Sequence, residues 1–144
     1  MATAMLIRFQ DWETRLLDAM EATKDVLCQY GDHDCCKSAA RLIHAMTGVD
    51  FSADFPPYAQ RKKAFRIIAR NGGFERMLES IATKYNLEEV PPTMARRGDP
   101  VMVQTERGMA AGIVDLTGKR IIIPAGRGWA FISVQHASRA WRLG

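Results

Sequence analysis

The hydrophobic period of this chain changes once, near residue 98, and that switch limits what it can fold into. Before it, apolar residues recur every three or four positions. "WETRLLDAM" puts Trp12, Leu16 and Met20 on one stripe, widened by Leu17, Ala19, Val26 and Leu27, which is the pattern of an amphipathic helix. Asp11 stands at its N-cap position and Gly31 lies past its expected end. A second helix is expected to open behind Asp34 as cap, to carry Ala39, Leu42, Ile43 and Met46 inward, and to stop at Gly48. A third runs from about Tyr58 to Arg70 and is broken by Asn71-Gly72-Gly73. Phe74, Met77, Leu78 and Ile81 stripe a fourth. Pro56 and Pro57 make "FSADFPPYAQ" a loop, because proline supplies no helical donor. "EVPPTMARRGD" forms a second boundary.

After Pro100 the runs become short and β-like: "PVMVQ", "MAAGIVDL", "KRIII", "WAFISV" and "SRAWRL". Gly-containing turns separate them at Arg107-Gly108, Thr117-Gly118 and Gly126-Arg127-Gly128. Helices first and strands second argue for an α+β fold, with N-terminal helices packed on a small C-terminal antiparallel sheet or meander. The 144 residues suit a single domain over 1–144, helical over about 9–87 and β over about 98–143.

Three cysteines, Cys28, Cys35 and Cys36, fall in one window. An odd count so closely spaced makes no disulfide framework and points to synthesis in a reducing compartment. "MATAMLIRFQDWE" lacks a basic region followed by an apolar run, so no signal peptide is expected. No apolar run approaches the roughly 18 residues of a membrane span. The expectation is a soluble protein made in the cytoplasm.

"YGDHDCCKSAARL" is the stretch with the most chemistry. Cys35 falls in the first turn of the second helix, where the helix dipole and unpaired N–H groups stabilise a thiolate. Equally, a cysteine there can be a small apolar side chain facing the core. A nucleophile needs a base, and the sequence has three histidines. His33 is two residues away on a tight turn, and His44 lies nine residues along, on the opposite face of the helix. His136, between the last two strands, is the base left to consider. His33, Asp34, Cys35 and Cys36 are adjacent, and no second half-site stands elsewhere, so a metal site is not expected. Nor is a cofactor. The basic run "QRKKAFRIIAR" (Arg61, Lys62, Lys63, Arg66, Arg70) carries no nucleic-acid module. It reads as a solvated helix face, or one that meets an acidic partner.

"YGDHDC" opening a helix, then "RRGDPVMV", then "GMAAGIVDL" is similar to the NlpC-type cell-wall cysteine peptidases, whose fold is papain-like. In that family an Asp-Cys pair begins a helix and a Gly-Asp turn opens the sheet. A His-Val-Gly-Ile-type strand then brings the base to the cysteine. Asp34-Cys35 matches the first motif, and Gly98-Asp99 with Val101, Met102 and Val103 matches the second. With Gly112-Ile113 aligned on Gly-Ile, the histidine position falls on Ala110. The third polar position falls near Ile122 to Pro124. A nearly end-to-end likeness is to small NlpC-like phage and prophage proteins encoded among tail genes, a family of unknown function. These share "W-E-x-R-L", "YG-x-x-DC", "AMTGVD", a later Tyr (Tyr58), "RGD", "GIV" and a terminal "AWR".

The resemblance implies a virion structural protein of the tail tip, associated with hub or baseplate. It would be assembled in the host cytoplasm and built on a degenerate cysteine peptidase. The implied partners are hub, distal-tail or tape-measure proteins, with several copies in a symmetric assembly. Without an imidazole, general acid–base steps typically worth 10²–10⁴-fold each are lost. Two other readings stay open: an active peptidoglycan hydrolase using Cys35 with His136, and a basic nucleic-acid-binding accessory protein.

Overall fold

A computed structural model describes residues 6–27, 35–54, 66, 69–70, 72–106 and 108–144. Helix α1 spans Trp12–Ala22 and is shorter than its hydrophobic stripe. Thr23 turns back on it through Oγ1, which donates to Ala19 O at 2.7 Å. The residues after the turn are then captured by the loop that precedes Trp129: Gly128 N donates to Val26 O at 2.8 Å, and Leu27 bridges Arg127. Gly128 has φ +66°, and a Cβ there would lie 2.1 Å from Lys24 O, so only glycine permits this approach. Val26 and Leu27 thus leave the helix stripe for tertiary reasons. Asp11 does not cap α1 with its side chain. Its Oδ1 instead accepts from Arg15 Nε at 2.7 Å.

Helix α2 spans Cys35–Thr47. Cys36, Ala40 and Ile43 on one row, with Leu42 and Met46 on the next, are buried in the main core. Gly48, at φ +78°, ends it by donating N–H to His44 O at 2.8 Å, as expected of a glycine just past a helix. Arg66, Ala69 and Arg70 are helical; the rest of the expected third helix lies outside the described residues. Helix α3 spans Phe74–Lys84 and buries Met77, Ile81 and Ala82. It closes with Asn86 in the left-handed region (φ 56°). Leu87 N donates to Ala82 O, and Asn86 N to Thr83 O, the paired bonds of a Schellman motif.

Six strands follow: β1 Glu88–Val90, β2 Pro100–Thr105, β3 Gly108–Val114, β4 Arg120–Pro124, β5 Trp129–Ser133 and β6 Ala137–Arg142. They form one antiparallel sheet in the order β1-β6-β2-β3-β4-β5. The expected meander holds from β2 to β5. The final strand, however, returns across the sheet to pair with β2, and β1 adds an edge that the hydrophobic pattern does not announce. β1 has only three residues, two of them exposed glutamates. Arg139 of β6 holds it, bonding Glu89 through Nε (2.9 Å) and Nη2 (2.5 Å) while Nη1 reaches Glu75 and Glu79 of α3. Glu89 first and Glu79 next raise the Arg139 pKa above its usual value.

The helices cover one face of the sheet. Leu16, Cys36, Leu42, Met46, Phe51, Met77 and Ile81 pack with Ile113, Ile122 and Leu143 in one core. Ala82 meets Met102 and Trp141 beside it. The opposite face gathers Val101, Val103, Val114, Ile121 and Ala140, with Ala95 and Val134 from loops against them. Strands β2 to β4 are therefore buried on both sides, which explains their near-continuous apolar runs. A bulge in β6 opposes Met102–Val103 to Arg139 and Ala137, leaving Ser138 extra. It keeps Ala137 and Ala140 on the same face despite odd spacing. Among the described residues no helix is long and apolar enough to cross a membrane.

Candidate functional site

Cys35 opens α2, so its backbone belongs to a first helical turn. Its side chain, and all of Cys28, His33, Asp34 and Tyr58, lie outside what is described. Cys36 is 2 % exposed and sits in the main core, behaving as a small apolar residue. His44 is exposed on α2. His136 is exposed in a short 3-10 turn, Val134–His136, between β5 and β6.

The strand that would carry a base is β3. Ala110 is paired with Val103 of β2 and packs in the cluster on the face away from the helices. With the two-residue period of a strand, the helix-side positions of β3 are Met109, Ala111 and Ile113. Ile113 is in the helix-side core, and Met109 packs beside Met102 and Trp141. Shifting the alignment by one residue therefore meets another apolar side chain, and β3 presents no proton acceptor at either register. The third-position candidates behave alike: Ile122 is core, and Ile123 packs on the far face. Ala137, Val103 and Ala110 form one row across β6, β2 and β3. His136 therefore starts about two strand spacings, roughly 10 Å, from β3, beyond hydrogen-bond reach of a group on that strand.

Gly112, the glycine of "GIV", has a packing cause. A Cβ there would lie 2.5 Å from Ile121 Cγ2 and 2.8 Å from Ile122 O. The position is empty because β4 crowds it.

Among the described residues, the most developed polar constellation is one that the sequence shows only as a turn. Gly98 (φ +83°) lets the chain reverse and sends Asp99 inward, where it is fully buried. Asp99 Oδ2 accepts from Arg96 N at 2.8 Å, and Oδ1 from Leu143 N at 3.0 Å. Arg8 Nη2 lies 3.6 Å from Oδ1, and Arg142 Nη1 3.3 Å from Oδ2. Arg8 also donates to Leu143 O (2.6 Å) and Arg97 O (2.5 Å) and stacks 4.4 Å over Trp12. Burial draws the Arg8 guanidinium below its usual pKa. Asp99 opposes this, and Arg142 and Arg97 reinforce it. One carboxylate thus ties the N-terminal segment, the sheet-opening turn and the last strand together. Above it, Arg8, Trp12, Arg96, Arg97 and Gly118 line a cleft of about 440 Å³.

Among the described residues no group of three or more His, Cys, Asp or Glu side chains stands where it could hold a metal ion. Residues 7–143 match the model of a family described as Domain of unknown function (DUF6950). The chain belongs to that family. No curated protein matches it. The match covers every element from Arg8 to Leu143, so the Asp99 cluster, which joins the two ends of this DUF6950 domain, lies wholly within it.

Proposed function

We propose that this DUF6950 domain is a structural component of a phage or phage-like tail tip. It would sit at the hub or baseplate, built on an NlpC-like, papain-like scaffold that no longer hydrolyses peptides. The observation that carries the loss of catalysis is β3: Met109, Ala111 and Ile113 face the helices and Ala110 faces away, so the strand offers nothing to deprotonate a thiol. A helix terminus can lower a thiol's pKa, but it cannot protonate a departing amine. The tail assignment is supported by the order of the "YGDHDC", "RRGD", "GIV" and "AWR" motifs. The partners would be hub, distal-tail or tape-measure proteins.

Mass spectrometry of gradient-purified particles, with imaging of particles made without the gene, tests this reading. The chain is expected in the particle at a small fraction of the major tail protein's copy number, and its loss should leave tail tips incomplete. Absence from purified particles, or normal tips without it, sinks the reading.

The placement of Cys35 at the start of α2 favours a second reading, an active peptidoglycan hydrolase. It predicts fast alkylation of Cys35 with an apparent pKa well below that of a free thiol. Alkylation no faster than a free thiol would remove it.

A further inference from the structure

We propose that the cleft over Asp99 is an oxyanion-binding site, taking a phosphoryl- or carboxylate-bearing ligand with at least two negative charges. It does not depend on the tail-tip reading. Asp99 meets the guanidiniums of Arg8 and Arg142 beneath the cleft, Glu13 meets that of Arg97 at its edge, and Arg96 lines the cleft as well, four guanidiniums against two carboxylates. The surplus is two positive charges. Asp99 is consumed by the bonds beneath the cleft, and Arg8 forms a fixed floor, pinned by Leu143 O and Arg97 O.

The rim is where a ligand is left room. Arg96 is exposed, and among the described residues its side chain makes no ion pair or hydrogen bond. Arg97 is half exposed and meets Glu13 at 3.6 Å, too long for a hydrogen bond. Gly118 turns with φ +75° and brings no side chain to the wall. A guanidinium presents a planar fork that suits phosphate or carboxylate oxygens in pairs. Two adjacent forks over a third, partly buried one suit an anion with several oxygens. Glu13 acts as the intramolecular competitor that such an anion displaces.

Titration calorimetry with pyrophosphate and, separately, citrate, each at constant ionic strength set with sodium chloride, tests the site. Saturable binding of pyrophosphate alone assigns a phosphoryl source, and of citrate a carboxylate one. Arg97→Ala and Arg96→Ala are each expected to weaken binding about tenfold or more, as loss of a charge-assisted contact does. Glu13→Gln is expected to tighten it. Arg76→Ala, an exposed arginine on α3 outside the cleft, should leave it unchanged. All four positions are at the surface, and circular dichroism verifies that each variant folds. No saturable binding of either anion overturns the proposal, as does affinity unchanged in the Arg96→Ala/Arg97→Ala double variant.

Discussion

Replacing Asp99 removes the acceptor that holds both ends of the chain to the sheet-opening turn. Its side chain is fully buried, while those of Arg8 and Arg142 are 14 % and 15 % exposed. Asp99→Ala would leave two guanidiniums facing one another with the charge between them gone. It would also strand the N–H groups of Arg96 and Leu143. Breaking a buried pair by deleting one partner costs about 3–5 kcal/mol, and each stranded donor about 1–3 kcal/mol before water relieves it. Water can reach the arginines, so about 4 kcal/mol is expected, a large share of the roughly 5–15 kcal/mol that stabilises a typical domain. With a urea slope of about 2 kcal/mol/M, the midpoint should fall by about 2 M. Asp99→Asn keeps the shape and one acceptor and should cost about half as much. In the Asp99→Ala background, Arg142→Met should recover stability, because one of the two opposed cations is gone. A loss below about 1 kcal/mol for Asp99→Ala, or further destabilisation by Arg142→Met, would refute the reasoning.

Gly112→Ala should cost about 1–3 kcal/mol by overpacking, since its Cβ would sit 2.5 Å from Ile121 Cγ2 and 2.8 Å from Ile122 O; thermal unfolding reads this, and an unchanged midpoint would show that β4 yields freely. Asp115 gives a pH signature. Burial pushes its carboxyl up, but hydrogen bonds from Thr117 and Arg120, with the Arg120 charge, outweigh burial and hold it below the ordinary value. A depressed folded-state pKa contributes stability that is complete above the unfolded value and is lost as pH falls through the folded one. Wild type should therefore lose its advantage over Asp115→Asn as pH falls below about 4. A constant difference from pH 7 to pH 2.5 would contradict the assignment.

The elements most legible in the sequence are those whose burial is one-sided and local. Leu42, Ile43 and Met46 announce α2, and Met77 and Ile81 announce α3, because a helix spaces its core contacts within its own sequence. Gly48 ends α2 by a conformation that its residue type advertises. Legibility fails where distant residues decide. Val26 and Leu27 fit a helix stripe, yet Arg127 and Gly128, about a hundred residues on, pair them with the loop between β4 and β5. β1 carries no alternation and is held by Arg139. At the candidate site, "RRGD" marks a turn. That its aspartate is buried among Arg8, Arg142 and the Leu143 amide follows from chain ends meeting, which no local spacing encodes. Ala110 could be aligned to a histidine position from the sequence. Which face of β3 it occupies required the pairing with β2 and β4.

Incubating purified wild-type protein and Cys35→Ala with peptidoglycan sacculi, and quantifying released muropeptides by mass spectrometry, tests the proposed loss of catalysis most directly. Neither protein is expected to release fragments above a protein-free blank, because in the proposed reading β3 supplies no base to Cys35, the first residue of α2. Release by wild type that Cys35→Ala abolishes would contradict that.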